Sequence, residues 1–182
     1  AQKKTDPYRN TDLTPFLRQL PFTLTGAQQR AIDEILADLT KGAPMNRLVQ
    51  GDVGSGKTMV AAAAAYCAAR NGCQTALMAP TEILAEQHYA SLSALFASLG
   101  ISVALLTGSM AQKEKKAVRE GLQEGTIQIA VGTHALISDS TVFQNLGLVI
   151  TDEQHRFGVG QRSKLSAKGA DPHLLVMSAT PI

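Results

Sequence analysis

Gly51-Asp52-Val53-Gly54-Ser55-Gly56-Lys57-Thr58 satisfies the pattern G-x-x-x-x-G-K-[ST] in full and carries an extra glycine at Gly54. Glycines let a loop curl until its N–H groups point inward, which makes a cradle for phosphate oxygens. A helix that begins at Lys57 adds the positive end of its dipole to the same anion. The Lys57 ammonium has the reach for the β- and γ-phosphates of ATP, and the Thr58 hydroxyl suits the oxygen shell of Mg2+. Such a loop needs a strand before it and a helix after it. Residues 47–50 read as the strand. Residues 57–70 read as a helix apolar on nearly all sides, hence buried, and Asn71-Gly72 ends it.

The same alternation continues outward. Further strand candidates are 75–79, 103–107, 127–132, 146–152 and 174–178, most of them near-continuous apolar runs suited to strands covered on both faces. Helices are expected over 25–39, 81–99 and 110–124. The first opens with Thr25-x-x-Gln28, a capping box. The second sets Ala85, His88, Tyr89, Leu92, Leu95, Phe96 and Leu99 in helical register and stops at Gly100. The third is heavily charged and reads as solvated. Together these predict an α/β domain with a mainly parallel central sheet and helices on both faces.

In open sheets of this kind, ligands sit beyond the carboxyl ends of the strands. The polar clusters fall at those ends: the glycine-rich loop, Pro80-Thr81-Glu82, Thr107-Gly108-Ser109, Gly132-Thr133-His134, Asp152-Glu153-Gln154-His155 and Ser178-Ala179-Thr180. Leu148-Val149-Ile150-Thr151-Asp152-Glu153 is an apolar strand ending in two acids. Adjacent acids repel unless a cation or a chemical role compensates. Beside a phosphate loop, Asp152 is placed to hold Mg2+, and Glu153 to polarise the water that attacks a γ-phosphate. His88, His134, His155 and His173 have no zinc-site spacing.

Composition bounds the rest. With 182 residues, 45% hydrophobic and 18% charged, the chain suits one globular domain. A net charge of +2, from 17 basic and 15 acidic groups, does not itself announce a nucleic-acid binder. Two cysteines, Cys67 and Cys73, form no disulfide framework, so a reduced cytoplasmic setting is expected. The longest apolar run is too short for a bilayer span. No signal peptide is recognisable. Residues 1–19 are expected to be a linker from an upstream domain. The polar start, and the abrupt end at Thr180-Pro181-Ile182, read as the limits of an excised fragment.

With Asp152-Glu153-Gln154-His155 as a DExH-type box, the chain resembles a superfamily 2 helicase. The other motifs follow in family order. Gln28, preceded by Phe22 and Thr25, resembles the adenine-reading Q motif, and residues 51–58 resemble motif I. Residues 79–82 resemble motif Ia, and 107–109 and 132–134 the Ib-type segments. Ser178-Ala179-Thr180 resembles motif III. The resemblance covers residues 20–182 and implies a first RecA-like helicase lobe, the ATP-binding one. Gln28 keeps two readings, helix capping and adenine recognition. The resemblance implies that Gln154, His155, Ser178 and Thr180 couple the γ-phosphate state to lobe movement. It also implies that Thr81, Thr107, Ser109, Thr133 and His134 contact DNA phosphates.

Residues 51–58 followed by Asp152-Glu153-Gln154-His155-Arg156-Phe157-Gly158-Val159 look like the RecG-type branched-DNA helicases. The transcription-repair coupling translocases are the nearest alternative, with Phe where Ser55 stands and Glu where Gln154 stands. A third reading, a nucleotide-responsive binding module without hydrolysis, has no need of Lys57, Thr58, Asp152 and Glu153 together. The RecG-type resemblance implies a monomeric bacterial motor at the nucleoid. Its substrates are stalled forks and Holliday junctions, and its catalytic arginines lie on a second RecA-like lobe. An N-terminal wedge domain completes that family's architecture.

Overall fold

The computed structural model describes residues 8–9, 11–20, 23–51, 57–153, 159–169 and 172–179. Six strands form one parallel sheet: β1 (Asn46–Gly51), β2 (Gln74–Met78), β3 (Val103–Leu106), β4 (Ile129–Gly132), β5 (Leu146–Glu153) and β6 (His173–Ala179). Their spatial order is β1-β6-β5-β2-β4-β3. Every pairing is parallel, so all six carboxyl ends share one rim. The helices are α1 (Thr14–Arg18), α2 (Gly26–Leu39), α3 (Lys57–Arg70), α4 (Glu82–Phe96), α5 (Gln112–Glu124) and α6 (Val159–Ser166).

Alternation along the strands divides the core. Leu77, Ile129, Val131, Leu148, Ile150, Leu175 and Met177 face α1, α2, α3 and α4. Ala76, Met78, Leu106, Ala130 and Val149 face the other way, against Leu122 of α5 and Leu165 of α6. The all-round apolar helix is α3, buried from Val60 through Ala68. Its alanines let the backbone lie close against the sheet while α2 covers its outer side. The charged helix is α5, with Gly121 and Leu122 as its buried residues.

Helix ends follow their local chemistry. Gly100 ends the α4 region at φ 71°, a left-handed position that costs a residue with a Cβ about 1 kcal/mol or more. At the rim, a Cβ on Gly132 would run into the Leu106 carbonyl oxygen, so close pairing of β3 with β4 demands glycine there.

Some expectations shift. The strand over 127–132 begins at Ile129, and Gln74 Nε2 donates to the carbonyls of Leu122 (2.9 Å) and Ile127 (2.8 Å) ahead of it, which takes the Ile127 carbonyl out of the strand ladder. The periodicity gave no sign of α1 or α6, which are short or polar. Within residues 1–19, Tyr8, Leu13 and Phe16 are buried in the core. The Phe16 ring lies 5.7 Å from Tyr66 and 6.2 Å from Phe96. Tyr8 meets the His173 ring edge-on at the opposite end of the sheet from the rim. There His173 Nδ1 accepts from the Met45 N–H at 2.8 Å, and burial holds this imidazole below its ordinary pKa. Burial also pushes the Cys67 thiol up to about 12, so it keeps its proton and is inert.

Candidate nucleotide site and rim loops

Strands β1, β6 and β5 are neighbours, and their register brings three of the candidate nucleotide-site positions together. Gly51 pairs with Ala179, Asp152 with Met177, and Glu153 with Ser178. Neighbouring strands lie about 4.8 Å apart, so these positions fall within two strand spacings at the rim. Gly51 closes β1, and α3 opens at Lys57, with Lys57 and Thr58 half-buried. This 14-residue helix therefore opens a short loop after β1 ends, the strand–loop–helix order that anion binding at a helix N-terminus uses.

Asp152 is 3% exposed. Its Oδ2 lies 2.7 Å from Nε2 of His88, on α4. An ionised carboxylate only accepts hydrogen bonds, so the imidazole Nε2–H is the donor. Among the described residues, this is the one side-chain partner of Asp152, and Oδ1 has none. Asp152 and Thr58 offer a carboxylate and a hydroxyl, the all-oxygen chemistry that suits Mg2+. These residues fit the ion that the sequence implies.

The capping box at α2 is fully formed. Thr25 Oγ1 accepts from the Gln28 N–H at 3.1 Å, and Gln28 Oε1 accepts from the Thr25 N–H at 2.8 Å. Both bonds leave the Gln28 side-chain NH2 available to an acceptor outside the helix.

The remaining rim loops follow β2, β4 and β3, which are also neighbours. Thr81 caps α4 by accepting from the Leu84 N–H at 3.2 Å. Ser109 Oγ donates to Glu82 Oε1. Gly108 lies beside the His134 ring, and both Ser109 and His134 are exposed. Thr107 and Thr133 are buried, and the Thr133 hydroxyl has no protein partner among the described residues. Of the five predicted phosphate contacts, Thr81, Ser109 and His134 thus reach the surface, whereas Thr107 and Thr133 lie beneath it.

Phe22, Asp52, Val53, Gly54, Ser55, Gly56, Gln154, His155 and Thr180 lie outside the described residues, as does the side chain of Glu153. One site-facing residue escaped the sequence reading: His88 sits in the helical stripe that reads as core packing, and nothing local distinguishes it.

Residues 25–182 match the model of the DEAD/DEAH box helicase family. The chain is 58% identical over 96% of its length to the ATP-dependent DNA helicase RecG of Bacillus subtilis, and 54% identical over its whole length to that of Aquifex aeolicus. It spans 26% and 24% of those two relatives, about a quarter of each. Among solved structures it superposes on RecG bound to a three-way DNA junction with a TM-score of 0.85. The identity is 49%, over 98% of this chain and 24% of that one. The DUF1998 helicase MrfA shares the fold at a TM-score of 0.71 and 19% identity, over 93% of this chain and 29% of that one. With all but its first 24 residues matched by the family model, this chain belongs to the DEAD/DEAH box helicases.

Proposed function

We propose that this chain is the ATP-binding motor lobe of a RecG-type DNA helicase, one that remodels stalled forks and Holliday junctions in bacterial recombination and repair. The observation that carries this reading is the adjacency of β1, β6 and β5. It sets the start of the phosphate loop, Ser178 and the buried Asp152 carboxylate on one rim. The high identity to RecG proteins over nearly the whole chain supports the substrate class.

In this reading the loop from Gly51 to Gly56 and Lys57 bind the ATP phosphates, while Phe22 and Gln28 face the adenine. Thr58 and Asp152 hold Mg2+. The bound Mg-ATP supplies the phosphoryl group, and Glu153 orients the attacking water and takes its proton. Gln154, His155, Ser178 and Thr180 relay the phosphate state to a second RecA-like lobe. Thr81, Ser109 and His134 meet the DNA backbone, with Thr107 and Thr133 supporting them from below. Such contacts position a motor without reading sequence. In this reading a wedge domain and a second RecA-like lobe complete the motor. The proposed setting is the bacterial cytoplasm, at the nucleoid, with the protein acting as a monomer.

The test is a titration with Mg-ATP that follows binding and phosphate release together, with and without a synthetic fork. Binding is expected to be lost in Lys57→Ala. Release is expected to be negligible, since arginines from a second lobe contribute about 10³ to 10⁵ in rate in related enzymes. Binding that ignores Lys57 overturns the assignment. Rapid Lys57-dependent release overturns the need for a second lobe.

A further inference from the structure

We infer that His88 is a positioning residue for the Asp152 carboxylate, holding it in the orientation that Mg2+ binding needs. The inference rests on the nucleotide site proposed above. Asp152 pairs with Met177 of β6, one residue past the last β2–β5 pair, Met78 with Thr151, so the ladder fixes its backbone. The ladder does not fix the side-chain torsions. A carboxylate buried at 3% exposure loses most of its hydration and needs a donor or a cation in exchange. His88 supplies the donor at 2.7 Å, and both side chains are shielded, at 12% and 4% exposure.

The alternation of the strand makes this contact possible. Leu148 and Ile150 face the side covered by α3 and α4. Asp152, two residues further, points to the same side, where His88 descends from α4. The bond engages Oδ2 and leaves Oδ1 for the ion or its bound water. A ligating carboxylate is ordinarily oriented by an outer hydrogen bond of this kind, and losing that bond typically weakens metal affinity 10- to 100-fold. A histidine that merely filled the core would have no reason to aim Nε2 at a buried acid.

His88 also ties the carboxylate to the DNA-facing rim. It lies seven residues beyond Thr81, the cap of α4, about 10 Å along one rigid helix. The Asp152 carboxylate is therefore registered against the helix that opens where Ser109 meets Glu82.

The test uses a fluorescent ATP analogue with the 182-residue chain, its affinity measured in EDTA and across a Mg2+ series. Two variants are compared, His88→Leu, which removes the donor, and His88→Gln, which keeps an N–H of similar reach. Thermal melts check that both are folded. The Mg2+ midpoint is expected to rise about 10- to 100-fold in His88→Leu and to stay within about threefold in His88→Gln, with affinity in EDTA the same for all three. A His88→Leu midpoint equal to the unmodified chain overturns the inference. So does equal loss with and without Mg2+, which marks a purely structural role, and so does failure of His88→Gln to rescue. If the unmodified chain itself shows no Mg2+-dependent binding, the nucleotide site falls and the inference falls with it.

Discussion

The Ser109 hydroxyl donates to the Glu82 carboxylate, and this bond ties the loop after β3 to the first turn of α4. It also places a negative charge among the groups proposed to meet DNA phosphates, and it occupies the proton Ser109 would offer them. Glu82→Gln removes the charge and keeps an acceptor. Affinity for fork DNA, measured by fluorescence anisotropy at about 0.1 M salt, is expected to rise about two- to fivefold, with the gain shrinking as salt increases. Weaker binding would show that the acid organises this surface rather than masks it.

Phe16 tests whether the segment before α2 is part of the lobe. It is fully buried between Tyr66 and Phe96. Phe16→Ala is expected to cost about 3–5 kcal/mol in urea unfolding, the range for a buried aromatic. A loss below about 1 kcal/mol would mean that the segment lies on the lobe without stabilising it.

Thr25 and Gln28 separate capping from base recognition. Thr25→Ala removes the hydroxyl that accepts from the Gln28 N–H, and should cost about 1 kcal/mol of stability while leaving nucleotide choice alone. Gln28→Ala is expected to weaken ATP binding several-fold and GTP binding little. Equal effects on the two nucleotides would leave Gln28 as a capping residue only.

The acid side of the stability profile should report on Arg47. Its Nε lies 2.6 Å from Asp38, and its Nη1 lies 3.1 Å from Glu34, linking β1 at the sheet edge to α2. The hydrogen bond from Arg47 is the main cause that holds the Asp38 carboxyl below its ordinary value. A depressed carboxyl stabilises the fold above its unfolded pKa of about 4, and that contribution vanishes as pH falls through the lower folded value. Arg47→Met should therefore lose up to about 1 kcal/mol at pH 7 and progressively less below pH 4, where the two denaturation curves converge. A constant difference across that range would assign the effect to packing of the arginine stem instead.

Glu153→Gln and Asp152→Asn are expected to part company. The first should leave Mg-ATP binding near normal, since the role proposed for Glu153 is toward water. The second should lose the Mg2+ dependence of binding. Equilibrium binding in the presence and absence of Mg2+ distinguishes them. Identical behaviour would dissolve the division of labour between the two acids.

Much of this architecture is local and was legible in the residues. The strand before Gly51 and the helix from Lys57 follow from periodicity and loop chemistry. The Thr25–Gln28 cap of α2 needs only three residues of separation, and Gly100 marks the stop of the α4 region by a left-handed backbone. Contacts of longer range were not legible. His88 and Asp152 are 64 residues apart, and Ser109 and Glu82 are 27 apart. They meet because β2 lies between β5 and β4, with α4 packed across the sheet, and a strand's own sequence does not name its neighbours. Burial of Thr107 and Thr133 and docking of Phe16 depend on the same strand order. The sequence by itself determined the six strands and the longer helices, because periodicity and turn chemistry act within a few residues. Only the tertiary structure decided which polar side chains face the site, because that depends on which strands lie side by side.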